Sequence, residues 1–216
     1  LGGLLMAALG LADDRFDLSA GIKLIGQALI SLCPILVMGF GIHSLDFFGV
    51  EVALGVFALP FAMLWIVGMT NAFNLIDGLD GLAVGAAAIA AGAFFVINLS
   101  SGNALGLVLS AAVGGGALGF ILFNAHPARL FLGDGGSYFL GYSMALLSLI
   151  SFQPNSEVSG SMPLVVVALI LLYPIADTLW AMIRRVLAGR SIFASDQQHL
   201  HHQVIKLNFD YSVSVL

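Results

Sequence analysis

Seven apolar stretches, separated by short polar connections, constrain this chain more than any single motif does. Six of them, at 22–42, 52–69, 82–99, 104–123, 138–152 and 163–183, run close to the length that a helix needs to cross a bilayer. The seventh, 1–12, would reach only about 18 Å as a helix, against a hydrocarbon core of about 30 Å. It reads as the second part of a span, and the chain as a fragment whose N-terminal helices are missing. Composition agrees: 60% of the 216 residues are hydrophobic and 9% are Asp, Glu, Lys or Arg, where soluble domains carry about 25% charged residues. The expected fold is all-α: a polytopic transmembrane helix bundle with about seven spans, forming one integral-membrane domain over residues 1–216. The lipid bilayer is its expected environment, and nucleic acid is not an expected partner. Cys33, the only cysteine, lies in an apolar run and has no partner for an intrachain disulfide. Glycine spacings such as Gly81/Gly85 and Gly115/Gly119 resemble small-xxx-small helix contacts.

Threading the runs back and forth sorts the connections onto two sides. One side receives 13–21, 70–81, 124–137 and everything from 184 on; the other receives 43–51, 100–103 and 153–162. All seven basic residues (Arg15, Lys23, Arg129, Arg184, Arg185, Arg190 and Lys206) fall on the first side. The positive-inside rule makes that side cytoplasmic. Only Asp46, Glu51 and Glu157 of the twelve acids fall on the opposite side. Hydropathy alone made this division, yet it collects nearly all the polar chemistry on one face.

Four clusters stand on that face. Asp13-Asp14, followed by Arg15, puts adjacent carboxylates where the first run ends. Such a pair suits a hard divalent cation sharing its oxygens with phosphate, or a general base, as well as a solvated helix end. Lys23 lies near enough in sequence to meet a phosphate, or to snorkel at the membrane edge. Asn71, Asn74, Asp77 and Asp80 then recur every third residue, a spacing that shares one face of a helix or tight turn. Charge between two spans is expensive, so a cation or polar substrate is the expected reason for it. Asn71 is the member best suited to an interhelical brace. The segment Leu132-Gly133-Asp134-Gly135-Gly136-Ser137 precedes the sixth run; free backbone N–H groups at a helix start favour phosphate, and Asp134 would bind a metal or cap the helix. Arg129 is a candidate partner for a diphosphate. Asp177 is an acid within a span. Last, His199, His201 and His202 gather imidazoles that suit phosphate or a nucleotide better than a structural zinc site, which would want cysteines nearby.

Taken together, Asp13-Asp14-Arg15, NAFNLIDGLDGLA at 71–83, FLGDGGSYFLG at 131–141 and DQQHLHH at 196–202 resemble, in order, the motifs of the polyprenyl-phosphate N-acetylhexosamine-1-phosphate transferases, of the glycosyltransferase family 4 type. The resemblance implies transfer of N-acetylglucosamine-1-phosphate from UDP-GlcNAc to undecaprenyl phosphate, giving undecaprenyl-diphospho-GlcNAc and UMP. This is the first membrane step of a cell-envelope polysaccharide, run on the cytoplasmic face of the bacterial plasma (inner) membrane with Mg2+ or Mn2+. Carried over by position, Asp13, Asp14, Asp77 and Asp80 are the implied catalytic acids. Asp134, with Asn74 and Asp77, is the implied metal set. Lys23, Asn74, Arg129, Arg190, His199, His201 and His202 are the implied or candidate substrate contacts. The HLHH pattern and the centre of the second motif look like the UDP-GlcNAc branch. The same reaction with another UDP-sugar, including UDP-MurNAc-pentapeptide, is the alternative, and a secondary transporter is the rival of a different kind. A homodimer is left open.

Overall fold

A computed structural model describes residues 1–39, 42–152 and 161–189. Among the described residues eight α-helices carry the fold: α1 (Gly2–Phe16), α2 (Ala20–Met38), α3 (Ala58–Ile76), α4 (Leu82–Ser101), α5 (Ala104–Asn124), α6 (Gly133–Ile150), α7 (Leu164–Ile170) and α8 (Leu172–Leu187). Three short strands accompany them, β1 (Ser44–Phe47), β2 (Val50–Ala53) and β3 (Ser161–Pro163).

Helix α6 is the axis of the bundle. It packs against α1, α3, α4 and α5 and is buried along almost its whole length, from Ser137 and Tyr138 to Ile150. Small residues make the closest crossings. A Cβ on Gly10 of α1 would sit 2.3 Å from the carbonyl oxygen of Asp134, and one on Gly141 of α6 would sit 2.5 Å from that of Met69. Close helix approach through small residues is how helices gain packing where lipid gives no hydrophobic drive. Of the glycines expected to do this, Gly115 and Gly119 would carry a Cβ in open space, and one on Gly85 would touch Ile121 at 3.8 Å. Spacing identifies a stripe of small residues, but not whether a neighbour lies over it.

Among the described residues four helical segments are long and apolar enough to cross a membrane, in α2, in α3 with the turn Gly55–Phe57 before it, in α4 and in α5. The number rises to five if α7 and α8, bent by 90° at their junction, count as one. The expected seven is therefore not reached. α1 has 15 residues. α6 carries glycine, serine and tyrosine beside its apolar residues, and needs no lipid-facing surface because other helices cover it. The run at 163–183 breaks at Leu171 instead of crossing straight. The runs at 22–42 and 52–69 are shortened as well, because α2 ends at Met38 on a left-handed Gly39 (φ 67°) and 44–53 fold back as β1 and β2. With β3 these make a small sheet of order β2-β1-β3, antiparallel between β1 and β2 and parallel between β1 and β3. Among the described residues it is the one departure from the all-α bundle.

The contacts reproduce the two-sided threading. On one side β1 pairs with β3, and Asn103 Nδ2 donates to the Ile150 carbonyl (2.8 Å). On the other, Asn124 Oδ1 accepts from the Gly81 N–H (3.0 Å), and Asp14 meets the start of α6.

Candidate active site

Three helix ends meet at that second pole: the C-terminal turns of α1 and α3 and the first turn of α6. Asp13, 3% exposed, is held from three directions. Its Oδ2 accepts from Lys23 Nζ (2.8 Å) and from the Tyr138 hydroxyl (2.7 Å), while Oδ1 accepts from the Leu18 N–H (3.1 Å). Burial pushes the Asp13 carboxyl up, but the bonds from Lys23 and Tyr138 outweigh it and hold it below the ordinary carboxylate range. Lys23 forms an ion pair with Asp13 and lies beside the acidic cluster.

Asp14 faces the opposite way. Its Oδ1 accepts from the Asp134 N–H (3.0 Å) and its Oδ2 from the Gly135 N–H (3.2 Å). The first-turn amides of α6, expected to be free for phosphate, are therefore taken by a carboxylate from α1. The helix dipole favours a negative charge there whether it belongs to a ligand or to a side chain. Gly133, with φ 65°, lets the chain enter α6 beside Asp14, since a Cβ there would stand 2.9 Å from Asp14 Oδ2.

The period of three in 71–80 holds only while the helix lasts. α3 ends at Ile76, with Asp77 at its C-cap. Asn71 points to α2, donating to Gln27 Oε1 (2.6 Å) and to the Val67 carbonyl (2.8 Å), so it is the expected brace. Asn74 points to α6, donating to Asp134 Oδ1 (2.7 Å) and Ser137 Oγ (3.1 Å). Asp80, beyond the helix end, turns away to accept from His126 Nδ1 (2.9 Å) and the Ala128 N–H (3.0 Å). These bonds hold its carboxyl below the ordinary range, the His126 contact contributing most. The four residues do not share one edge, because three residues advance a helix by about 300°, not by a full turn, and no helix continues past Ile76.

A cavity of about 390 Å³ lies where these ends meet, lined among others by Asn74, Asp77, Asp80, Asn124, Gly133 and Asp134. Asp77 is pushed up to about 6, by burial first and then by the charges of Asp134 and Asp14. Asp134 is also pushed up to about 6, again by burial first and then by Asp13, with Asp14 adding to it. Carboxylates that raise one another in this way form a surplus of negative charge facing one space. Among the described residues no three Asp, Glu, His or Cys side chains gather closely enough to hold a metal by themselves. Mg2+ asks for less: it takes oxygen ligands, commonly from one or two carboxylates, and completes its shell with phosphates and water. Asp77 and Asp134 fit that requirement in donor chemistry and in unneutralised charge.

Arg129 is exposed on the loop after α5, with its N–H bonded to the Phe123 carbonyl (2.8 Å), and Asp177 is buried in α8, outside the cavity lining. Arg190, His199, His201 and His202 lie outside the described residues. Sequence reasoning missed Tyr138, whose hydroxyl secures Asp13, and Gln27, which receives Asn71. Tyr138 had a legible signal, since it lies four residues after Asp134 and so on the same helix face.

Fold and site together define a polytopic helical membrane protein with an acidic site built where helix ends meet. Residues 1–152 match the glycosyl transferase family 4 family. The chain belongs to that family. Over its whole length it is 41% identical to a probable undecaprenyl-phosphate N-acetylglucosaminyl 1-phosphate transferase of Bacillus subtilis, covering 60% of that relative. It is 33% identical, again over its whole length, to a decaprenyl-phosphate N-acetylglucosaminephosphotransferase of Mycolicibacterium smegmatis, covering 57% of it. Over 69% of the chain it is 40% identical to a phospho-N-acetylmuramoyl-pentapeptide-transferase of Listeria monocytogenes, covering 50% of that protein. The chain thus spans about half to three-fifths of the length of these curated relatives.

Proposed function

We propose that the protein carrying this chain transfers N-acetylglucosamine-1-phosphate from UDP-GlcNAc to undecaprenyl phosphate, releasing UMP, on the cytoplasmic face of the bacterial plasma membrane and with Mg2+ or Mn2+. The observation that carries this reading is the convergence of Asp13, Asp14, Asn74, Asp77 and Asp134 from three helices around one polar cavity. The 41% identity over the whole chain to a relative named for this reaction supports the choice of sugar and lipid. The threading of the apolar runs, which assigns all seven basic residues to the same side as the acidic motifs, supports the cytoplasmic assignment.

Asp134 and Asp77 would hold the cation together with diphosphate oxygens. When bound, it supplies neutralisation of the phosphate charges and of the charge that grows on the leaving UMP. The protein's own part is to place these groups. Asn74 fixes the Asp134 carboxylate at the cavity wall through an amide donor to Oδ1. Lys23 and Tyr138 keep Asp13 charged and still, which maintains the negative wall that a cation would offset. Asp14, at the mouth of α6, is the carboxylate placed beside the attacking lipid phosphate in this reading. An apolar cavity of about 800 Å³ between α1, α2, α4, α5 and α6 reaches Leu132, which also lines the acidic cavity. It is the place we assign to the prenyl chain near the reacting phosphate. Arg190 and the histidines at 199, 201 and 202 complete the proposal as contacts to the nucleotide-sugar diphosphate.

The decisive experiment is product analysis with the full-length protein, undecaprenyl phosphate, Mg2+ and a panel of labelled UDP-sugars. Lipid-extractable label from UDP-GlcNAc, with stoichiometric UMP, is the expected result. Label from UDP-MurNAc-pentapeptide alone would move the protein to the reaction named for the Listeria relative. Solute movement without any lipid product would make it a transporter.

A further inference from the structure

The β1–β2 hairpin lies at the pole opposite the acidic cavity and takes no part in the chemistry above. Its register pairs Ser44 with Ala53, Leu45 with Val52, Asp46 with Glu51 and Phe47 with Val50. Side chains alternate across a strand pair, so one face carries Leu45, Phe47, Val50 and Val52 and the other carries Ser44, Asp46, Glu51 and Ala53. The polar face is organised: Asp46 Oδ1 accepts from the Gly49 N–H (3.1 Å), and Glu51 Oε1 accepts from the Ser44 hydroxyl. Of the apolar face only Leu45 is buried; Phe47, Val50 and Val52 stand exposed, and among the described residues β2 is an edge strand exposed throughout.

The turn adds an independent oddity. Phe48 and Gly49 both take positive φ, 55° and 87°. A two-residue hairpin turn of that kind favours Asn-Gly or Gly-Gly, and a bulky side chain at φ > 0 is an outlier. Here that residue is a phenylalanine, 88% exposed. In water the position would combine backbone strain with a bare aromatic ring.

We propose that this hairpin is a one-sided membrane anchor: the exposed apolar face, led by Phe48, seats in the headgroup–acyl boundary of the leaflet opposite the active site. Its surface is continuous with one that already faces lipid. One residue after β2 begins the spanning segment Gly55–Ile76, whose first exposed side chains are Val56 and Phe57. α2, itself long and apolar enough to span, ends at Met38 on the other flank. Both attachments keep the hairpin at the membrane surface. The two carboxylates allow entry by one face only, since Asp46 and Glu51 would lose hydration on insertion. They also lie directly opposite each other, an arrangement of like charges that only a watery face tolerates cheaply. An amphipathic element lying in the interface plane satisfies all of these conditions.

The test uses site-directed spin labels in the full chain, reconstituted in nanodiscs of phosphatidylethanolamine and phosphatidylglycerol, on a Cys33→Ser background. One label is introduced through Phe48→Cys and a second through Asp46→Cys. Power saturation then compares collision with oxygen, which partitions into lipid, and with a water-soluble nickel chelate. The expected result is a reversal between neighbours: oxygen dominates at 48 and the chelate at 46. Equal access of the chelate to both labels would overturn the proposal, and so would exclusion of both reagents from 48, which would place a second protein copy or another partner on the hairpin. Neither label touches the acidic cavity, so the outcome is independent of whether transfer activity is found.

Discussion

At one end of α6, Asn98 and Asn103 tie the α4–α5 hairpin to the helix terminus: Asn98 Nδ2 donates to Ser151 Oγ (2.8 Å), Asn103 Nδ2 donates to the Ile150 carbonyl, and Asn103 Oδ1 caps α5 by accepting from the Gly106 N–H (3.0 Å). At the other end, Asp14, Asn74 and Ser137 surround the first turn, with Asp13 and Asp77 close behind. Both ends bury polar side chains between helices, and both use asparagine to do it. The difference is charge. The amide end pairs neutral groups with one another, and the buried atom it leaves without a hydrogen bond, Asn98 Oδ1, carries no charge. The carboxylate end gathers more negative charge than its one lysine neutralises, and leaves Asp77 and Asp134 facing a cavity. Burial of polar groups between spans is thus not in itself a mark of function; an uncompensated surplus of one sign is.

Removing the surplus should have the largest effect. Asp134→Asn keeps the side-chain shape but loses a charge, and is expected to lower turnover by about 100-fold or more while raising the Mg2+ concentration needed for what remains. Steady-state assays across a Mg2+ titration check this, and an unchanged metal dependence would break the distinction between the two ends. Asp14→Asn should also cost about 100-fold in turnover if a charged group next to the lipid phosphate is required. Asparagine caps helices about as well as aspartate does, so the thermal midpoint should hardly move; a stability loss with normal turnover would reduce Asp14 to a cap. Lys23→Met leaves a buried carboxylate without its cation and is expected to destabilise the fold by about 3 kcal/mol, read by denaturant titration in detergent.

The same surplus predicts a dependence on pH. Asp77 and Asp134 titrate near 6 in the fold, above their ordinary value of 3.8, so the folded state binds their protons more tightly. Their contribution to stability is therefore fully present below about pH 4 and is lost as pH rises through about 6. With a chelator present the thermal midpoint should fall across that window, and Mg2+ should restore it at neutral pH. The smallest effect belongs to the amide end. Asn103→Ala should cost about 1 kcal/mol of stability through the lost α5 cap, with turnover per folded molecule unchanged.

How far the site was legible follows from the reach of each cue. Hydropathy found the helical bundle and sorted its connections correctly, because each apolar run is a local property. Its seven runs exceed the four or five segments that are long and apolar enough to cross by themselves among the described residues, because a helix such as α6 is covered by neighbours that sequence periodicity does not name. The spacing of Asn71, Asn74, Asp77 and Asp80 found the right stretch and misread its geometry: one amide braces α2, one orders Asp134, and of the two acids that line the cavity one is tied to His126. A motif marks where polar atoms are concentrated, but helix termination decides where they point.

The order of apolar and acidic segments was enough to determine a helical membrane protein with its acids gathered at one pole, since the cost of charge in lipid acts on each segment separately. Which carboxylate became a cap, which an ion pair and which a free wall of the cavity was decided by tertiary structure alone. Asp13 and Asp14 are chemically identical neighbours; only the close crossing of α1 and α6 at Gly10 turns one toward Lys23 and Tyr138 and the other onto the amides of Asp134 and Gly135.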